Sequence, residues 1–193
     1  MKLRESGMPH ERMWAGFFDP PTVLVKLGLT NQCRDAADLG CGYGTFTIPA
    51  ARIVHGAVHA FDIEPGMVGT TSCKAREAGL INVRVEQRDF AAEGTGLPDG
   101  SADYVMLFNI LHCEEPLVLL REAWRILMEG SLLAIVHWNY DPSTPRGPSM
   151  DIRPRPEQCR DWAKQAGFDS RVPEKLDLPP YHYGWVLEKR RAI

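Results

Sequence analysis

Apolar positions along this chain repeat with two periods that take turns. The segments "RDAADLG" (34–40) and "GAVHAFDI" (56–63) carry the short apolar runs of buried strands, and "FTIPAARIV" (46–54) between them has helical spacing. The order is strand, glycine-rich turn, helix, strand. It then repeats: "PGMVGTTSCKAREAG" predicts a helix stopped at Gly79, "NVRVEQRDF" alternates like a strand, and "ADYVMLFNIL" is an almost wholly apolar strand. "EPLVLLREAWRILMEG" predicts an amphipathic helix with Pro116 in its first turn and Gly130 past its end, and "SLLAIVHW" a buried strand after it.

Strands that alternate with helices imply a parallel sheet covered on both faces, because parallel neighbours need crossover connections. A ligand crevice is then expected at the carboxyl ends of the strands. The last quarter changes character. "YDPSTPRGPSMDIRPRP" is rich in proline and too broken for either element, "PEQCRDWAKQAGF" predicts a capped helix, and "DSRVPEKLDL" and "YHYGWVLEK" predict two strands that return antiparallel around Pro179 and Pro180.

With 193 residues, 44% of them apolar and no run of some 18 uninterrupted apolar residues, one domain without an integral membrane segment is expected. The opening "MKLRESGMPHERMW" lacks the apolar core of a secretory signal, which predicts a cytoplasmic chain. Five scattered cysteines, 33, 41, 73, 113 and 159, form no CxxC pair, so neither a disulfide framework nor a metal site is indicated. A net charge of −3 with dispersed Lys and Arg gives no nucleic-acid footprint, and the one basic cluster, "EKRR" at 188–191, reads equally as a solvated terminus.

The candidate chemistry lies in "AADLGCGYGTFTIPAARIV". A glycine turn between a parallel strand and a helix lets backbone approach a ligand, and the helix start offers unpaired N–H groups. Gly40, Gly42 and Gly44 make GxGxG, and Thr45 occupies the place of the third glycine of the dinucleotide fingerprint GxGxxG. Asp38, two residues ahead of Gly40, would repel a pyrophosphate and favours a cationic ligand group.

"DLGCGYGTFTIPAA" resembles the first motif of class I S-adenosylmethionine-dependent methyltransferases, and the order of the later elements resembles that family's fold from about residue 34 to 189. The nearest flavour is the small-molecule group that includes ubiquinone and menaquinone methylases. The resemblance implies an α/β fold, Rossmann-like, with a seven-stranded, mostly parallel sheet, helices on both faces and an antiparallel C-terminal strand. It divides the single domain 1–193 into an N-terminal helical cover (1–33), a donor-binding βα core (34–139) and a C-terminal helix with two strands (140–193).

The resemblance also implies a cofactor, S-adenosylmethionine, and its contacts. Asp38 would face the methionyl amino group, and Gly40, Gly42 and Gly44 would lie under the methionine and ribose, with Cys41 and Tyr43 as the variable positions of that loop. Asp62 would take both ribose hydroxyls, since a carboxylate accepts two hydrogen bonds, and Ile63 would flank the adenine. Asp89 would accept from the adenine amino group, with Phe90 against the base; the alternative readings are a cap of the "FAAEG" turn for Asp89 and core for Phe90. Asn109 falls where a backbone carbonyl of the family meets the methionyl amine. The turn before the fifth strand, usually Lys-Pro-Gly-Gly in the family, is Met128 to Ser131, and "FNIL" replaces the proline motif of DNA-base methylases.

Methyl transfer from a sulfonium is an in-line displacement with a good leaving group, so positioning supplies much of the rate and a base is needed only for a protonated acceptor. His112 and His137, at the ends of the fourth and fifth strands, are the catalytic candidates, each reading equally as a histidine bonded to a loop. Trp138, Asn139 and Tyr140 extend that rim, Tyr181 to Tyr183 face the pocket or pair across strands, and Met13, Trp14, Phe17 and Phe18 form either a cover or plain packing. Three functions follow: a methyltransferase on a small-molecule or lipid-like acceptor; a non-catalytic adenosylmethionine-binding scaffold; and a nicotinamide oxidoreductase, disfavoured by the glycine spacing. The acceptor atom and the oligomeric state stay open.

Overall fold

The computed structural model describes residues 10–190; the first nine, on which the expectation of no export signal rests, and Arg191 of the basic cluster lie outside the described residues. Two short helices come first, α1 (Glu11–Ala15) and α2 (Pro20–Lys26). The repeating core follows as β1 (Ala36–Leu39), α3 (Thr47–Ile53), β2 (Val58–Asp62), α4 (Pro65–Glu77), β3 (Val83–Gln87), α5 (Phe90–Glu93), β4 (Ala102–Phe108), α6 (Pro116–Ile126) and β5 (Leu127–Trp138). The last quarter is α7 (Pro156–Gln165), β6 (Phe168–Ser170), β7 (Leu176–Leu178) and β8 (His182–Lys189).

These strands form one sheet in the order β3-β2-β1-β4-β5-β8-β6, parallel through β5, with β8 antiparallel to β5. The strand expected over 169–178 is divided: β6 pairs with Leu187–Lys189 and β7 with His182–Gly184 along the same edge of β8. Seven strand positions therefore hold eight strands. Pro173 lies in the gap and has no N–H for the ladder, which is why pairing breaks there. A second correction concerns α6, which ends at Ile126, so that Met128 to Ser131 lie inside β5 as an irregular stretch and not in a turn.

Side chains alternate across the strands and bury both faces. Leu39, Phe61, Val105, Leu107, Leu133 and Ile135 pack against α6 and α7. On the other face Ala36, Val58, Tyr104, Met106, Ala134 and Val136 pack against α2 and α3, and the Tyr104 hydroxyl donates to the Leu27 carbonyl at 3.0 Å. The chain leaves β1 toward β2 on one side and crosses back to β4 on the other. That reversal opens a crevice at the carboxyl ends of β1 and β4, the usual ligand position of such sheets.

Candidate functional site

The glycine turn closes over the end of β1 and is tied down from three directions. The N–H groups of Gly40 and Cys41 both donate to the Phe61 carbonyl at 2.9 Å, fastening the turn to β2. Asp62 Oδ2 accepts from the Gly42 N–H at 2.8 Å, and Oδ1 from the Glu64 N–H at 3.0 Å. Helix α4 supports the turn from beneath: Thr71 Oγ1 donates to the Gly42 carbonyl at 2.8 Å and Lys74 Nζ to the Tyr43 carbonyl at 2.7 Å. Lys74 also pairs with Glu11, which joins α1 to the same loop.

Glycine is required here by conformation and by space. Gly40 has φ +89° and a Cβ on it would stand 2.7 Å from Ile110 Cδ1; Gly44 has φ +73° and its Cβ would stand 2.9 Å from Thr71 Oγ1. Gly44→Ala is therefore expected to cost about 1–2 kcal/mol of stability, since an L-residue is strained at that φ, and to push Thr71 off the Gly42 carbonyl. Thermal unfolding and titration with adenosylhomocysteine check it. Retained stability and ligand affinity together would show that the tight turn is dispensable.

Asp38 is 3% exposed and accepts from Thr47 Oγ1 at 2.6 Å. Burial is the main cause that lifts its pKa to about 7, against the Thr47 hydrogen bond, with the Asp62 charge adding to the rise. Burial also raises the Asp62 carboxyl, opposed by the Glu64 and Gly42 N–H groups. Two carboxylates in one dry crevice, each raised, suit a ligand that brings positive charge. The Cys41 thiol is buried beneath them and its pKa is raised, first by burial and then by Asp38 and Asp62, so it is an inert part of the wall.

The remaining donor candidates separate. Asp89 ends the β3 connection as the N-cap of α5, its Oδ1 accepting from the Ala92 N–H at 3.0 Å. Phe90 is 2% exposed and packs within the core against α6. Ile63 is half-buried just after β2, its carbonyl accepting from Gln87 Nε2 at 3.2 Å. Asn109 follows β4 with φ +56°; its N–H donates to the Val136 carbonyl at 2.7 Å, and both polar atoms of its side-chain amide are buried without a partner.

On the β5 side the sheet brings three histidines to one end. His112 and His137 are buried with ring centroids 5.6 Å apart. His137 shares a sheet face with Tyr183, whereas Trp138 shares the opposite face with His182. Neither His137 nor His182 has a hydrogen-bond partner on either ring nitrogen. Burial drives the pKa of His137 well below the ordinary value and that of His182 down to about 3. Both rings are therefore neutral at neutral pH. Aromatic rings of the N-terminal segment lie over the Trp138 and His182 face: Trp14 stands 5.9 Å from His182, Phe18 4.4 Å from His182, and Phe17 5.5 Å from both Trp138 and Tyr181.

Residues 36–130 match the family model described as Methyltransferase domain. The chain is 29% identical over 187 residues, 90% of this chain and 84% of its relative, to "Aklanonic acid methyltransferase DauC" of Streptomyces sp. strain C5. A solved SAM-dependent methyltransferase from Aquifex aeolicus superposes with a TM-score of 0.79 at 27% identity, covering 89% of both chains. Together these findings support a class I S-adenosylmethionine-dependent methyltransferase. The [4+2]-cyclase SpnF, at 18% identity and a TM-score of 0.75 over 89% of this chain and 82% of its own, shares the fold alone.

S-adenosylmethionine is the cofactor of this methyltransferase, and the residues at the turn fit its chemistry. Gly40 and Gly44 give the turn a positive-φ backbone packed on Ile110 and Thr71, the raised acids suit a cationic group, and Asn109 holds buried donor and acceptor atoms that a bound molecule would satisfy. Thr47, Thr71 and Lys74 complete the site and were not legible beforehand. Nothing in the helical spacing of 65–79 or 46–54 marks a residue that bonds a loop far away in the chain. Among the described residues no helix is long and apolar enough to cross a membrane, and no three His, Cys, Asp or Glu side chains converge as a metal site.

Proposed function

We propose that this methyltransferase acts on a small-molecule acceptor with a planar apolar body. The observation that carries this reading is the aromatic cluster at the end of β5: Trp14, Phe17, Phe18, Trp138 and Tyr181 meet edge to face, tilted or stacked, and Phe18 reaches Phe46, two residues beyond the glycine turn, at 5.1 Å. The relative DauC, named for methylating aklanonic acid, supports a small organic acceptor.

In this reading Asp62 holds the ribose hydroxyls with the lone pairs left over from the Gly42 and Glu64 N–H groups. Asp38, oriented by Thr47, faces the methionyl amino group together with the Asn109 region. Gly40 to Gly44 underlie the methionine and ribose, Ile63 flanks the adenine, and Asp89 meets its amino group. The bound cofactor supplies an electrophilic methyl on a sulfonium whose departing group is a neutral thioether. The protein's part is then to hold the acceptor atom in line and to exclude water. A histidine with a strongly lowered pKa is poorly matched to take a proton at neutral pH, so His137 serves as a neutral hydrogen-bonding group, with His112 beside it at the same wall.

The test is thermal unfolding with adenosylmethionine, adenosylhomocysteine and NAD in parallel, followed by a screen of aromatic acceptors with labelled methyl groups. Ligand at about a hundred times its Kd stabilises by about 2.7 kcal/mol, a rise of roughly 5–10 °C in the midpoint for a chain of this size. A shift with both sulfur ligands, none with NAD, and label in aromatic acceptors is expected. Transfer confined to aliphatic amines or to macromolecules would sink the acceptor assignment.

A further inference from the structure

One buried cation shapes the wall of the acceptor side. Arg153 is 6% exposed and its guanidinium donates to the carbonyls of Asn139 at 3.0 Å, Asp141 at 3.1 Å, Arg146 at 3.3 Å and Pro148 at 2.7 and 3.0 Å, and to Thr144 Oγ1 at 2.6 Å. These bonds fold the proline-rich segment 139–153 around it. Among the described residues no carboxylate bonds Arg153; the side chain of Asp141 turns outward to accept from the Ser143 N–H at 2.8 Å. A guanidinium held by carbonyl dipoles has less of its field cancelled than one in a close ion pair. A buried charge left in that state calls for a counter-charge.

The charge sits against the acceptor enclosure. Gly147 is wedged between Arg153 and Trp138, so close that a Cβ on it would stand 2.9 Å from Arg153 Nη2 and from the Trp138 ring. The Trp138 ring lies 4.2 Å from that of His182. Arg153 is among the causes that lower the pKa of both His137 and His182, second only to burial at His182, so its field reaches both rings. Among the described residues the carboxylate whose charge couples to it is Asp141, and that side chain is exposed, where water screens it; the histidines are neutral, and the two raised acids belong to the glycine turn.

We propose that the acceptor is bound as an oxygen anion, a carboxylate, phenolate or enolate, and that the field of Arg153 selects it. The proposal rests on the methyltransferase reading with a small aromatic acceptor. The acceptor oxygen forms the new C–O bond as the C–S bond breaks and its electron pair passes to sulfur. Anion and sulfonium become two neutral products, and no proton has to leave. A step that cancels opposite charges is favoured in a dry site, and it explains why the histidines there need not titrate near neutral pH. Arg153 acts as a positioning residue through its charge, its donors being committed to the loop. Trp14 and Phe18 lie against His182, so the N-terminal segment must shift as the acceptor arrives.

The experiment is isothermal titration of protein loaded with adenosylhomocysteine, using 2-naphthoate and its neutral isostere 2-naphthamide, with wild type, Arg153→Lys and Arg153→Gln. Wild type is expected to bind the carboxylate at least 10-fold more tightly than the amide. Arg153→Lys, which keeps the charge and loses donors, should retain most of that preference; Arg153→Gln should lose it, with affinity for adenosylhomocysteine changed less than about twofold. Equal binding of the two probes, binding of neither by loaded wild type, or loss of the preference in Arg153→Lys would each overturn the proposal. Should Arg153→Gln not fold, the wild-type pair and the lysine variant decide alone. Failure of wild type to bind adenosylhomocysteine would instead strike the donor site itself, and this proposal with it.

Discussion

Asp62→Ala is expected to weaken adenosylhomocysteine binding by roughly 100-fold, about 3 kcal/mol, with a smaller effect on the unfolding midpoint. Two losses add. The variant lacks the acceptor proposed for the ribose hydroxyls, and it leaves the Gly42 and Glu64 N–H groups, now held at 2.8 and 3.0 Å, without their partner. The turn would still be fastened to β2 through the Phe61 carbonyl, which is why the fold should survive. Asp62→Asn keeps one acceptor oxygen and should fall between the two. Calorimetric titration measures both, and affinity unchanged in Asp62→Ala would remove Asp62 from the donor site.

Asp38→Asn is expected to move stability and binding in opposite directions. The folded pKa of Asp38 is raised from the ordinary 3.8 to about 7, so the folded state holds a proton that the unfolded chain has released between those values. Stability from this group is therefore greatest below about pH 4 and is lost as pH rises through 7, by a total on the order of a few kcal/mol. Asparagine carries no such penalty and still accepts from Thr47. Without ligand, Asp38→Asn should then unfold several degrees above wild type at pH 8, with the gap narrowing toward pH 5. Its affinity for adenosylmethionine should drop by about 10-fold or more, because the cationic amino group loses its partner. In wild type that affinity should climb as pH rises through 7. A variant no more stable than wild type at pH 8 would mean that Asp38 is not held dry as the structure has it.

How far each feature could be read in advance depends on the distance over which it is decided. The core β1 to β5, their crossover helices and the crevice at their carboxyl ends follow from period, glycine spacing and the need to bury both faces. The two acids followed from their places at strand ends, and the aromatic density before β1 marked a segment that could not stay in water. The break between β6 and β7 was missed because Pro173 matters only once an antiparallel neighbour demands its N–H. Phe90 reads in sequence either as a base contact beside Asp89 or as core, and α5 packs it against α6. The start of β5 reads in sequence as a turn because Gly130 resembles a helix stop, and pairing with β4 makes it strand.

By itself, then, the sequence determined the alternation of strands and helices, the bare backbone of the Gly40 to Gly44 turn and the acids on either side of it, since burial period, positive φ and strand-end position are properties of a few consecutive residues. Only the tertiary structure decided that Thr47 aims Asp38, that Thr71 and Lys74 hold the turn from α4, that His112 after β4 meets His137 of β5, and that Arg153 gathers the loop after β5 around its buried guanidinium. Those partners lie from 9 to 31 residues apart in the first three contacts. The packing of the sheet and its helices brings them together, and no local pattern of apolar and polar residues records which donor will meet which acceptor.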